Sequence, residues 1–172
     1  MTGYTNHRAT IRTVHIEDAA AILTLQRDVF GEGDYFIAVS EEYNKTIEQQ
    51  LEWIQCVIDN DRETMFVAEI DGELVGMIVF SSQARKRSIT MMLHKEHRNK
   101  GIGKALLKEL LAWAKQHPLI EKVSLGVFST NLRAIALYNS MGFVEEGRKV
   151  KEFKLADNEY ADDVLMYQFV KA

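Results

Sequence analysis

Seven consecutive residues, Arg98-Asn99-Lys100-Gly101-Ile102-Gly103-Lys104, combine the types that hold a phosphate. Glycine lets a backbone approach an anion with no Cβ in the way and tolerates left-handed dihedrals. Arg98, Lys100 and Lys104 bring positive charge to the same point. The apolar stretch Ser88 to Leu93 before the string reads as a strand, and Ile102, Leu106, Leu110 and Trp113 after it form a helical stripe that ends before Pro118. The glycines therefore fall at a helix N-terminus, where unpaired N–H groups and the positive end of the dipole receive phosphate oxygens. Two common phosphate sites fail on spacing. Gly103-Lys104 is followed by Ala105 rather than Ser or Thr, and a dinucleotide fingerprint needs three glycines where two stand here.

These residues need elements to position them. Ala9 to Val14 alternates as a first strand, and His15-Ile-Glu-Asp opens a helix whose apolar face is Ile16, Ala20 and Leu23, with Ala19 and Ile22 beside it. The glycines of Phe30-Gly-Glu-Gly-Asp-Tyr-Phe break that helix. Thr46 and Gln49 have capping-box spacing ahead of the stripe Ile47, Leu51, Ile54 and Ile58. Met65 to Ile70 and Leu74 to Phe80 are strands joined at Asp71-Gly72, a hairpin signal. Lys122 to Phe128 is a strand, Asn131 to Met141 a helix closed by Gly142, and Phe143 to Lys154 with Tyr160 to Val170 a last hairpin over Ala156-Asp157-Asn158-Glu159. The order β-α-α-β-β-β-α-β-α-β-β predicts one α/β (α+β) domain over residues 1–172, with a mixed, mostly antiparallel sheet flanked by helices. The stretch Ser88 to Phe128 is the place for a parallel crossover.

A second string follows the strand that ends at Phe128: Asn131-x-x-Ala134-x-x-Leu137-Tyr138-x-x-x-Gly142-Phe143. Alone, its Asn would cap the helix it begins and its Tyr would be a packing residue. Arg98-x-x-Gly101-x-Gly103 after an apolar strand, and this second string at its distance from the first, resemble the GNAT N-acetyltransferase superfamily over nearly the whole chain. The resemblance implies acetyl-CoA as co-substrate, with its pyrophosphate on the backbone of Asn99, Lys100, Gly101, Ile102, Gly103 and Lys104 beside Arg98. It implies that the pantetheine arm pairs with Met91, Met92 and Leu93 like an added strand, that two central strands splay apart, and that Asn131 contacts the arm. Tyr138 matches the usual general acid of such proteins. A phenol of pKa about 10 keeps its proton at neutral pH and can give it to the departing thiolate.

The base is where the chain departs from a subtype. Members that acetylate protein N-termini are similar before Asn131 but carry a carboxylate where Gly126 stands here. Candidate stand-ins are Glu32 in the loop after the first helix and His94 at the end of a strand. The acceptor side is expected in the Phe30 to Tyr43 loop, with Glu32, Asp34, Glu41, Glu42, Tyr35, Phe36 and Tyr43, and in the last hairpin, with Asp157, Glu159, Asp162 and Asp163; ordinary surface acids are the competing reading. The expected reaction is direct transfer in a ternary complex to a small primary amine, such as an amino acid, polyamine or amine antibiotic. A protein N-terminal or lysine acetyltransferase and a non-catalytic acyl-CoA sensor are the alternatives.

Composition sets the outer limits. The 172 residues carry 21 Lys+Arg against 25 Asp+Glu, a formal −4 that hides two regions. Arg85 to Lys104 holds seven bases and one acid, so that window is +6 and the remainder −10. One basic stretch on an acidic chain fits an anionic ligand at one place and not a nucleic-acid-coating surface. Three of its seven bases, Arg98, Lys100 and Lys104, belong to the phosphate turn; Arg85-Lys86-Arg87 has no assigned role. Cys56 is the only cysteine, so there is no intramolecular disulfide and no Cys-based zinc site. His94 and His97 lack a partner carboxylate at metal-ligand spacing, and no metal is expected. The first residues lack a signal-peptide pattern and no apolar run reaches the roughly 20 residues that span a bilayer. The expectation is a cytoplasmic protein with no membrane or nucleic-acid partner, and the resemblance allows a homodimer.

Overall fold

The computed structural model describes residues 8–33, 44–82 and 87–171. In chain order these form β1 (Thr10–Thr13), α1 (Ala19–Glu32), α2 (Ile47–Asp59), β2 (Thr64–Ile70), β3 (Glu73–Ser81), β4 (Ser88–Leu93), α3 (Ile102–Gln116), β5 (Lys122–Phe128), α4 (Leu132–Ser140), β6 (Val144–Ala156) and β7 (Glu159–Phe169). Short 3-10 turns at Ile16–Asp18 and Lys95–His97 precede α1 and α3. The order is the one expected from the sequence, and the sheet is mixed and mostly antiparallel.

Local chemistry accounts for the junctions. The Thr46 hydroxyl accepts from the Gln49 N–H at 3.2 Å while the Gln49 side chain accepts from the Thr46 N–H at 2.9 Å, closing the capping box at the start of α2. Asp71 and Gly72, at φ 51° and 81°, link the paired residues Ile70 and Glu73. Two positive-φ residues in a two-residue loop match the right-handed twist of the strands they join. Gly33, at φ 70°, ends α1.

The described strands make one sheet in the order β1-β2-β3-β4-β5-β7-β6. Side chains alternate across it. Phe66, Ala68, Ile78, Phe80, Ile89, Val123, Leu125 and Val127 bury into a core with Leu106, Leu107 and Leu110 of α3 and Tyr138 of α4. Met65, Val67, Met77, Val79 and Met92 bury on the other face against Ile22, Leu25 and Val29 of α1 and Ile54 and Val57 of α2. The sheet is thus sandwiched between α1 and α2 on one face and α3 and α4 on the other.

Two expected helix faces are corrected. In α1 the buried residues are Ala19, Ile22, Leu23, Leu25 and Val29, and Ala20 is exposed. In α2 they are Gln50, Ile54 and Val57, while Ile47, Leu51 and Ile58 are exposed. The stripe is rotated because Gln50 donates to the Gln26 side chain at 3.0 Å and so enters the α1–α2 contact, a place the sequence reading reserved for apolar residues.

The central pair decides where a site can form. β4 and β5 are parallel but are matched at a single register position, Ser88 opposite Ser124. There the Ser124 hydroxyl also donates to the Arg87 carbonyl at 2.6 Å. β4 nevertheless stays paired with β3 from Ser88 to Leu93, and β5 with β7 from Lys122 to Phe128. Each strand is held on its outer side while their shared edge parts.

Candidate active site

The turn from β4 into α3 is built to face an anion. Asn99 and Gly101 are left-handed, at φ 60° and 80°. Gly101 is the N-cap of α3 and provides no side-chain cap. The ladder begins with the Ala105 N–H donating to the Gly101 carbonyl at 3.1 Å. The N–H groups of Ile102, Gly103 and Lys104 come before it, at the positive end of a 15-residue helix. Arg98 braces the turn: its Nε donates to the Leu93 carbonyl at 3.1 Å and a terminal nitrogen to Glu32 at 2.7 Å. Both side chains of that ion pair are largely buried.

A cavity of about 630 Å³ starts at this turn, with Arg98, Asn99, Gly101, Gly103 and Lys104 in its wall. It continues along Ile89, Met91 and Leu93 of β4 and reaches Asn131, Ala134, Leu137 and Tyr138 at α4. Gly126 and Phe128 of β5 also line it. Their neighbours Leu125 and Val127 point into the α3–α4 core, so Gly126 and Phe128 face the opposite side. Walls drawn from both faces mean that the cavity passes through the sheet, in the gap between β4 and β5.

Two of its lining side chains come from α4 and its N-cap. The Asn131 side chain accepts from the Ala134 N–H at 3.2 Å, so it caps the helix with its oxygen. Its NH₂ group takes no part in that bond. Tyr138 is 7% exposed and packs edge-on against Phe143, ring centroids 5.8 Å apart. Burial pushes its phenol up to about 12, because the anion would lose its hydration. The group therefore holds its proton throughout the neutral range.

Nine of the expected site residues meet on this cavity: Met91, Leu93, Arg98, Asn99, Gly101, Gly103, Lys104, Asn131 and Tyr138. Met92 does not turn its side chain to the cavity; alternation along β4 buries it in the α1–α2 core. Ile102 is buried under α3, and Lys100 is exposed beside the turn. Neither base candidate lines the cavity. Glu32 is held by Arg98; the backbone N–H of His94 donates to the Val75 carbonyl at 2.9 Å, while its ring Nδ1 is buried with no hydrogen-bond partner among the described residues. Residues 34–43, which include the expected acceptor residues Asp34, Tyr35, Phe36, Glu41, Glu42 and Tyr43, lie outside the described residues, as do Arg85 and Lys86. Arg87 donates to the Leu119 carbonyl at 3.4 Å.

Of the four hairpin acids expected on the acceptor side, Asp163 alone lines the cavity, and the sequence reading missed the aromatic wall beside it, Phe128 and Phe153. Phe153 of β6 stacks on Phe128 at 4.4 Å and Asp163 of β7 stands opposite Phe128, both in the cavity wall. A Cβ placed on Gly126 would come within 2.5 Å of the Asp163 Oδ1. The space a side chain at 126 would need is filled by a carboxylate from the next strand.

Residues 22–143 match the model of the acetyltransferase (GNAT) family. The chain is 29% identical over 119 residues to the L-amino acid N-acetyltransferase AaaT of Escherichia coli strain K12, covering 66% of this chain and 73% of that protein. It is 29% identical over 135 residues to the spermidine N(1)-acetyltransferase of Vibrio cholerae, covering 77% and 72%. Its fold is similar to that of yncA from Salmonella typhimurium, solved with its cofactor acetyl-CoA, at a TM-score of 0.82, 21% identity, and coverage of 96% of this chain and 95% of that one.

Proposed function

We propose that this chain, which belongs to the acetyltransferase (GNAT) family and is an N-acetyltransferase, moves an acetyl group from acetyl-CoA to the primary amine of a small molecule, with residues 1–172 acting as one catalytic domain. The observation that carries the reading is the cavity through the sheet, which joins the anion-facing turn to a protonated, buried Tyr138. Bound there, acetyl-CoA supplies an activated acetyl thioester. The N–H groups of Ile102, Gly103 and Lys104 and the charge of Lys104 hold its phosphates. The inner edge of β4 beyond Ser88 is not matched with β5 and offers backbone groups to an extended arm. Asn131 steadies that arm with the amide nitrogen left over from capping. Tyr138 presents its proton where the thiolate departs.

A channel open to both faces of the sheet lets donor and acceptor meet without an acyl-enzyme, and Cys56 is an exposed residue of α2 away from the cavity wall. The acceptor class follows the relatives named for L-amino acids and spermidine. Thiol release by the full chain, measured with acetyl-CoA against L-amino acids, polyamines, amine antibiotics and peptides, tests it. Turnover with free amines and intersecting initial-rate lines are expected. Turnover confined to peptides, or acetyl-CoA binding with no turnover on any amine, would overturn it.

A further inference from the structure

We propose that Asp163 is the group that receives the acceptor's ammonium and takes its proton, an assignment that rests on reading the cavity as the acetyl-transfer channel. Among the described residues it is the acid in the cavity wall. Of the other described acids considered for this end, Glu32, Asp157, Glu159 and Asp162 are not in that wall.

Geometry explains why a carboxylate on β7 reaches a place governed by β5. Phe128 opposes Asp163 and Gly126 opposes Leu165, so Asp163 lies diagonally from Gly126 on the same face. Val164, its neighbour in β7, is buried in the α3–α4 core, so Asp163 points out on the α1–α2 side. The phosphate turn leads into α3 on the other side. Asp163 thus stands across the sheet from the donor's phosphates, where the second substrate has to enter. Gly126 makes the room: any Cβ there would meet the Asp163 carboxylate at 2.5 to 3.4 Å. The pair Gly126–Asp163 delivers one carboxylate to this point from the neighbouring strand.

The step balances as follows. The acceptor arrives as R–NH₃⁺, and the Asp163 carboxylate takes one proton. The freed nitrogen lone pair forms the C–N bond at the thioester carbonyl, and the C–S bond breaks with its electron pair on sulfur. Tyr138 gives its hydroxyl proton to that sulfur and recovers one from the amide nitrogen, ending as it began. Asp163 passes its proton to solvent, so each turnover yields an amide, a thiol and one proton.

The test is Asp163→Asn, which keeps the shape and removes the charge, assayed with two acceptors that differ in amine pKa and with acetyl-CoA binding as the control. For an amine of pKa about 10, kcat/KM should fall by about 10²-fold or more. For an amine of pKa about 7, which arrives largely uncharged, the loss should shrink to less than about tenfold. Acetyl-CoA affinity should stay within about twofold of the wild-type value. Wild-type kcat/KM in the variant, or an equal loss with both amines, overturns the assignment; the second result would mark Asp163 as structural. Should Asp163→Asn not fold, Asp163→Ser is judged by the same two acceptors. Failure of the wild-type chain to bind acetyl-CoA is the separate result that would sink the channel reading itself.

Discussion

Gly101 and Gly103 occupy one turn and are glycine for different reasons, which a pair of substitutions separates. A Cβ on Gly101 would meet nothing within 4 Å, but the residue sits at φ 80°. Gly101→Ala therefore costs about 1–2 kcal/mol of backbone strain and no steric clash. If the turn keeps its shape, the whole cost falls on stability, and for a chain of this size Tm drops by about 2–8 °C. If the turn relaxes, stability is spared and acetyl-CoA affinity falls by the same free energy, about 5–30-fold. The two losses together must account for the strain. Gly103 is helical, and a Cβ there would lie 3.5 Å from both Leu137 and Met91, an ordinary contact. Gly103→Ala should raise stability by about 0.5–1 kcal/mol and leave affinity alone. The extra methyl groups of Gly103→Val crowd the same two side chains, both in the cavity wall, and overpacking of about 1–3 kcal/mol corresponds to a loss of about 5–150-fold in affinity. Calorimetric unfolding and titration with acetyl-CoA read both quantities. Wild-type stability and affinity together in Gly101→Ala would refute the conformational argument, and wild-type affinity in Gly103→Val would refute the placement of the donor in this cavity.

Tyr138→Phe should lower turnover by about 10²–10⁴-fold with acetyl-CoA affinity unchanged, and wild-type turnover in it would remove the acid. Since burial raises the phenol to about 12 and the protonated form is the stable and active one, stability is full below about pH 10 and falls as pH rises toward 12, by about 2–3 kcal/mol; denaturant titrations should show this loss in the wild type and not in Tyr138→Phe. Glu32→Gln removes the carboxylate that neutralises Arg98, so acetyl-CoA affinity should rise severalfold at low salt while thermal stability falls; unchanged affinity would place Arg98 outside the field felt by the phosphates. The hydrogen bond from Arg12 holds the Asp18 carboxyl below its ordinary 3.8, so its contribution is present above that pH and lost as pH falls through the lowered value. Asp18→Asn should flatten the acid limb of the stability curve.

What could be read from the sequence was what neighbours in sequence decide. Thr46 with Gln49, Asp71 with Gly72, and Gly101 at the start of α3 act within a few residues, and each stands where expected. The face of α2 depends on α1, and Gln50 became a core residue only through Gln26. Asp163 is the extreme case. Its place in the site requires the register of β7 against β5, two strands separated by α4 and by a β6 whose register shifts between Lys149 and Phe153. A slip of one residue would have put Asp162 in the cavity and Asp163 outside it. Four hairpin acids therefore looked alike until pairing distinguished them.

The two strings that carried the reading bracket the same gap. The first, at 98–104, follows β4; the second, beginning at Asn131, follows β5. A parallel pair needs a crossover, and a right-handed crossover puts α3 back on the sheet with its N-terminus near the end of the strand that feeds it. The helix dipole is thereby aimed at the end of β4, where pairing with β5 has already ceased. α4 begins beyond the end of β5 and packs Tyr138 under the same face. Both strings deliver their groups to the gap where β4 and β5 part. Their spacing along the chain is the length of a parallel crossover, which is why the pair of strings specified a site that neither glycine nor tyrosine specifies alone. The proposed acceptor side has no such local string, because Asp163 comes from β7, whose place against β5 is fixed by pairing at long range.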